Sequence, residues 1–84
     1  MNYEILKTLT ILYVEDELEL QEEVAYNIAP FVKKIITKNN GYEAFDFFEK
    51  NSDLIDMVIT DILMPIKNGI EMVHDIRKLN YEIP

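Results

Sequence analysis

The sequence predicts one α/β domain in which a parallel β-sheet is built from three consecutive strand–helix units. Short apolar runs alternate with segments whose apolar residues recur at helical spacing. Strands that alternate with helices of about 10–15 residues form parallel sheets with right-handed crossovers. The 84 residues leave room for only one small domain. The expected order is therefore β-α-β-α-β-α.

The first unit begins with Thr10–Val14, a short and almost wholly apolar run that predicts a strand buried on both faces. The pattern then changes to a helical period, and Pro30 is expected to end or bend that helix near its last turn. The apolar face of this helix is predicted to contain Leu20, Val24, Ile28 and Phe31.

The second unit pairs a strand over Lys34–Lys38 with a helix from about residue 41 to residue 50. Asn40 lies three residues before Glu43, which is the spacing of a capping box with asparagine in the place of serine or threonine. The apolar side chains of this helix are phenylalanine and alanine at helical spacing, which predicts that one face packs in the core.

The third unit begins with a strand over residues 56–61, which is again apolar through its centre. A loop follows, and Asn68 with Glu71 repeats the Asn-x-x-Glu signal for a helix start. Ile70, Val73 and Ile76 then mark the apolar face of a third helix.

Composition and charge exclude several classes of function. The chain has no cysteine, which excludes disulfide scaffolds, thiol catalysis and cysteine-ligated metal sites. Its net charge of −8 repels nucleic acids and anionic membrane surfaces. No apolar stretch approaches the roughly 20 residues of a membrane span, and Glu4 lies where a signal peptide carries positive charge. We expect a cytoplasmic protein without a nucleic-acid or membrane partner.

Acidic residues follow two of the predicted strands. Glu15 and Asp16 come directly after the first strand, and Asp61 ends the third. If these strands are neighbours, about 4.8 Å apart, the three carboxylates converge and oppose one another's ionisation. Mg²⁺ relieves that repulsion, because it prefers oxygen ligands and shares its coordination sphere with phosphate. Taken singly, Glu15 and Asp16 are better explained as caps of the first helix, and Asp61 as an ordinary turn residue. The three acids together, after strands that flank the switch point, favour the metal site.

The acidic pair after the first strand, together with Asp-x-x-Met-Pro-x-x-x-Gly from Asp61 to Gly69, resembles a response regulator receiver domain of two-component signalling. The resemblance extends from about Leu9 to Pro84 and includes the Asn-Asn-Gly turn before the second helix. It implies a flavodoxin-like, doubly wound parallel sheet, here truncated to three β-α units.

The resemblance also implies a role for each site residue. Asp61 would be the phosphoacceptor, taking a phosphoryl group from the histidine of a sensor histidine kinase. Glu15 and Asp16 would hold Mg²⁺ together with Asp61, and the backbone carbonyl of Leu63 would supply a further ligand. On this interpretation the chain is a substrate that carries part of a catalytic site, and it is expected not to be an enzyme.

The chain also departs from the family pattern. A receiver domain has five β-α units, so residues 1–84 are expected to form a single incomplete receiver domain. The family's Ser or Thr after the fourth strand and its Lys after the fifth are missing, and Lys67 is expected to be a solvated loop residue. The open edge of the third strand predicts a homodimer.

The alternative hypothesis is an interaction module. On that interpretation the chain is a truncated, receiver-like domain that dimerises and binds metal at most. His74 has no second histidine or cysteine to share a metal with, so it is expected to be a surface residue.

Overall fold

The computed structural model describes residues 3–62, 64, 67–80 and 82–84. In that part of the chain, three strands form one parallel sheet in the order β2-β1-β3. The strands are β1 (Thr10–Val14), β2 (Lys34–Lys38) and β3 (Met57–Thr60). Leu12 at the centre of the sheet pairs with Ile36 on one side and with Val58 on the other. The α/β fold class and the parallel sheet predicted from the sequence are confirmed.

Helices connect the strands as expected, and a short helix precedes them. The elements are α1 (Tyr3–Leu6), α2 (Leu18–Ile28), α3 (Gly41–Asn51) and α4 (Gly69–Leu79). Pro30 lies in a 3-10 turn over Ala29–Phe31, so α2 ends just before the proline, as predicted. The helix α1 was not predicted. Within the described ranges, no helix has the length and apolar character needed to cross a membrane.

Both Asn-x-x-Glu signals form the helix caps expected from them. Asn40 Oδ1 accepts a hydrogen bond of 2.9 Å from the Glu43 backbone N–H, and its amide donates to the Glu43 carboxylate at 2.8 Å. At the start of α4, Asn68 Oδ1 accepts from the Glu71 backbone N–H at 2.9 Å. These bonds satisfy backbone donors that have no partner inside the helix, and thereby locate the first residues of α3 and α4.

The hydrophobic core lies between the sheet and the pair α3 and α4. All five residues of β1 are buried, as predicted for a strand covered on both faces. Its inward side chains meet the apolar faces of the two helices, including Phe48, which has no exposed surface. The other core residues are Leu12, Val14, Ala44, Ile55, Met64, Met72, Ile76 and Ile83.

The opposite face of the sheet is only partly covered by α2. Leu20 and Phe31, both predicted to face the core, are 39% and 56% exposed. Gln21 is the buried residue of this helix instead. On this face of the sheet, next to the end of α2, lies an open apolar cleft of about 470 Å³. It is lined by Leu6, Ile11, Ile28, Phe31, Val32, Met57 and Ile59. Because the helix covers so little of the sheet here, helical spacing alone did not predict which side chains are buried.

The outer edge of β3 is not wholly open. The Val58 backbone N–H donates to the carbonyl oxygen of Pro84 at 2.9 Å. Ile83, next to it, is buried in the core. Pro84 therefore already accepts a hydrogen bond from the strand edge that was expected to be bare.

Candidate functional site

The fold brings three acidic side chains to one point. Glu15, Asp16 and Asp61 each offer a carboxylate oxygen, and these oxygens all lie within 4.8 Å of one another. The cause is the pairing of β1 with β3, in which Val14 lies beside Thr60. The Asp61 backbone N–H continues that pairing by donating to the Val14 carbonyl at 3.0 Å. The expectation that these strands are neighbours is confirmed.

The two acids after β1 differ in exposure. Glu15 is 5% exposed, whereas Asp16 is open to solvent. The Glu15 backbone N–H donates to the Lys38 carbonyl of β2 at 3.0 Å. Its carboxylate accepts a bond of 3.2 Å from the Glu17 backbone N–H at the start of α2. Glu15 is therefore held against the carboxyl end of the sheet, whereas Asp16 lies on the solvent side of the cluster.

Burial and mutual repulsion govern the electrostatics of the cluster. Burial raises the pKa of the Glu15 carboxyl above its usual range, and the nearby charges of Asp61 and Asp16 raise it further. The pKa of the Tyr13 hydroxyl is raised by burial and by the charges of Glu15 and Asp61. Among the described residues, no lysine or arginine forms an ion pair with Glu15 or Asp16. A bound cation would relieve this excess of negative charge.

The chemistry of the donors indicates which cation fits. All three groups are carboxylates, and the cluster contains no histidine or cysteine. Such an oxygen-only set suits a hard divalent ion, and the acidic cluster fits the binding of Mg²⁺. Leu63, whose backbone carbonyl was predicted as a further ligand, lies outside the described residues.

Gln21 supports the site, although the sequence analysis did not single it out. Its side-chain Nε2 lies 2.9 Å from the Glu15 carbonyl, 3.0 Å from the Lys38 carbonyl and 2.9 Å from Asn39 Oδ1. This buried amide thereby ties α2 to the carboxyl ends of β1 and β2. The only signal in the sequence was a polar residue beside Leu20 on a helix face assigned to the core.

The backbone of Asp61 and Ile62 lies directly against the start of α4. The Gly69 backbone N–H donates to the Ile62 carbonyl at 2.8 Å. A Cβ atom at Gly69 would collide with the Asp61 carbonyl oxygen and would lie 3.0 Å from the Ile62 Cα. Glycine is therefore required here, because the backbone that carries Asp61 passes directly against the helix start.

Lys67 is not the solvated residue that the sequence analysis predicted. Its side chain is only 14% exposed and forms an ion pair with Asp75 of α4. Its ammonium group also lies over the rings of Tyr42 and Phe45 in α3, at 5.1 and 5.2 Å from their centroids. The prediction failed because these partners become neighbours only when α3 packs against α4. His74 is exposed, as expected.

Comparisons with known proteins agree on one family. The receiver domain of the hybrid histidine kinase CckA is 30% identical, with a TM-score of 0.75, and the match covers 89% of this chain and 69% of that one. The response regulator TrrA of Thermotoga maritima, in complex with Mg²⁺ and BeF, is 35% identical, with a TM-score of 0.79, over 90% of this chain and 64% of that one.

A curated relative points the same way. The chain is 34% identical over 70 residues to a transcriptional regulatory protein, the CpxR homolog of Haemophilus influenzae, covering 83% of this chain and 30% of that protein. The chain spans less than a third of the length of the first curated relatives that it matches. No family model matches the chain.

The expectation that the chain is not an enzyme is wrong as it was stated. The structural neighbours are response regulator receiver domains, and one of them is seen with Mg²⁺ and BeF. Such domains are phosphoacceptors within phosphotransfer-related regulators. The statement that the chain is simply not an enzyme therefore does not describe them. The physical reason is that a domain carrying its own acceptor and cation ligands supplies much of what phosphoryl transfer needs, namely positioning and charge neutralisation.

The order β2-β1-β3 and the acidic cluster at the carboxyl ends of β1 and β3 are the features that the sequence motif led us to expect. Overlap with a receiver domain over more than two thirds of that domain gives the same answer by an independent route. The chain belongs to the family of response regulator receiver domains.

Proposed function

We propose that the chain accepts a phosphoryl group on Asp61 from a sensor histidine kinase, with Mg²⁺ held by Glu15, Asp16 and Asp61. The observation that carries this proposal is the convergence of the three carboxylates within 4.8 Å. The complex of the Thermotoga maritima relative with Mg²⁺ and BeF supports the same chemistry. Residues 1–84 act in this proposal as a single incomplete receiver domain.

Asp61 is the nucleophile in the proposed step. One carboxylate oxygen attacks the phosphorus atom of the donor phosphohistidine, and a new P–O bond forms as the P–N bond breaks. The imidazole leaves as a neutral ring because its other nitrogen carries a proton. The product on Asp61 is an acyl phosphate.

The remaining groups hold and orient the reacting atoms. When bound, Mg²⁺ neutralises the charge of the phosphoryl oxygens and of the acceptor. Asp16, which is exposed, and Glu15, which is buried, would both hold the ion together with Asp61. The backbone carbonyl of Leu63 is proposed as a further ligand. The tight contact of Gly69 with the Asp61 backbone restricts the positions that the acceptor carboxylate would sample.

The first prediction tests this function on the chain itself. Incubation with Mg²⁺ and a small acyl phosphate donor is expected to add one phosphoryl group, detected by intact-mass spectrometry. The reason is that the cation would neutralise both the phosphoryl oxygens of the donor and the acceptor carboxylate. Addition of a chelator should prevent the adduct. An Asp53→Asn variant should still form the adduct, because this exposed acid lies before β3, at the end of the strand opposite Asp61. It is the matched control for Asp61→Asn. Absence of an adduct, or an adduct insensitive to the chelator, would contradict the proposal.

The apolar cleft favours a second candidate, an interaction module that forms a homodimer. The cleft borders β3 through Met57 and Ile59, and its walls are apolar. A second copy could cover this face and the remaining outer edge of β3 together, because exposed apolar surface and unpaired edges both favour association.

The second prediction concerns that dimer. Light scattering is expected to give twice the chain mass of 9.9 kDa, and Phe31→Asp at the cleft should return it to the monomer value. Tyr26→Asp is the control, because Tyr26 is 81% exposed and does not line the cleft. A monomer mass for the parent chain at high concentration would exclude the dimer.

A further inference from the structure

We propose that Lys67 is a positioning residue that anchors the described part of the acceptor loop (residues 61, 62, 64, 67 and 68) to helices α3 and α4. The inference rests on the proposed function, because that loop carries the phosphoacceptor Asp61. No motif of the sequence assigned this role to Lys67, which lies two residues before Gly69.

The Lys67 side chain is largely enclosed by residues of two helices. Its ammonium group is paired with Asp75, which lies on α4 and is itself only 26% exposed. It also lies 5.1 Å from the ring centroid of Tyr42 and 5.2 Å from that of Phe45, both on α3. An ammonium group within about 6 Å of an aromatic ring is attracted by the negative face of that ring. A single cation from the loop therefore holds both helices.

The backbone of Lys67 is held as closely as its side chain. A Cβ atom at Gly41, the first residue of α3, would collide with the Lys67 carbonyl oxygen and lie 2.7 Å from its Cβ and Cγ. The far end of the loop is closed by the bond from the Gly69 N–H to the Ile62 carbonyl. The described residues at the two ends of the loop are thus held in place, and Lys67 supplies the contact that reaches across to α3.

Another lysine of the chain shows what an ordinary surface pair looks like. Lys50 pairs with Asp46 at 3.0 Å on the outside of α3, and the two side chains are 66% and 63% exposed. Pairs so exposed contribute little, because water and salt screen them. Lys67 is far less exposed and has two rings as well as a carboxylate, so its removal should disturb the loop, whereas removal of Lys50 should not.

The connection to chemistry is geometric. The attacking oxygen of Asp61 must lie beside the oxygens of Glu15 and Asp16, and misplacement of a reacting group by about 1 Å can lower a rate by about 100-fold. A loop released from α3 and α4 would sample more positions of Asp61. Lys67 itself touches neither donor nor cation in this account and acts through the loop.

The third prediction compares Lys67→Met with Lys50→Met, since each variant removes one positive charge and keeps a long side chain. Lys67→Met is expected to speed hydrogen exchange at the Gly69 amide about tenfold, because local opening exposes that bond. It should also slow phosphorylation by the small donor about tenfold per folded molecule. Lys67→Arg, which keeps the charge and stacks on aromatic rings, should restore both values in large part.

Each outcome decides the inference. If Lys67→Met matches Lys50→Met in both measurements, or lowers only the melting temperature, Lys67 is merely structural and the inference is overturned. If Lys67→Met does not fold, Asp75→Asn replaces it in both assays. This variant keeps Lys67 and removes its acidic partner, and it also removes the exposed pairing of Asp75 with Lys78 at 3.8 Å. If the parent chain forms no adduct, the proposed function fails, and exchange at Gly69 still decides whether Lys67 anchors the loop.

Discussion

Asn in place of Asp61 is expected to abolish the phosphoryl adduct and to raise the melting temperature of the magnesium-free protein. The amide cannot serve as the nucleophile, so the loss of the adduct should be complete. The gain in stability arises because one of three mutually repelling carboxylates is removed from a cluster whose oxygens lie within 4.8 Å.

The pH dependence of this gain follows from Glu15. Its pKa is raised in the folded protein, by burial first and then by neighbouring charges that include Asp61. The folded state therefore binds more protons than the unfolded state, and stability falls as pH rises from the usual glutamate range through the raised pKa. The stability gain from Asp61→Asn should be present above that pH window and should vanish below it, where the Glu15 carboxyl is protonated.

Thermal unfolding of parent and variant at acidic and neutral pH, with and without Mg²⁺, measures this effect. Mg²⁺ should stabilise the parent more than the variant, because it binds the folded cluster preferentially. Asp53→Asn, which removes an exposed charge at the other end of β3, should change neither the adduct nor the response to Mg²⁺. A variant that is still phosphorylated would show that Asp61 is not the acceptor.

Phe48→Ala is expected to lower the free energy of unfolding by about 3–5 kcal/mol, which is the usual effect of deleting a fully buried phenylalanine. Phe48 has no exposed surface and lies between the sheet and the α3–α4 pair. Small domains have total stabilities of about 5–15 kcal/mol, so this loss should leave the variant barely folded or unfolded.

Urea unfolding followed by circular dichroism measures the difference, with Tyr26→Ala as the control, because Tyr26 does not line the apolar cleft. Tyr26 is 81% exposed, so removing its aromatic side chain creates no enclosed cavity and should change stability much less. Equal losses for the two variants would show that burial does not account for the effect at Phe48. A negligible loss at Phe48 would contradict the core described above.

Local signals in the sequence determined the elements and the site acids. The run Thr10–Val14 predicted the central strand residue for residue, because a continuous apolar stretch of that length suits a strand covered on both faces. Asn40 and Asn68 predicted two helix starts, since capping depends on residues three positions apart. The convergence of Asp61 with Glu15 followed from the parallel topology, which places the carboxyl ends of the strands at the same end of the sheet.

The tertiary structure alone decided what those elements meet. Lys67 looked like a loop residue, and its partners Tyr42 and Asp75 lie on two other elements, so no spacing along the chain could reveal them. Gln21 likewise bonds to the ends of two strands. Helical periodicity assigned Leu20 to the core, although it is 39% exposed. Periodicity records which residues share a face, whereas burial depends on what packs against that face.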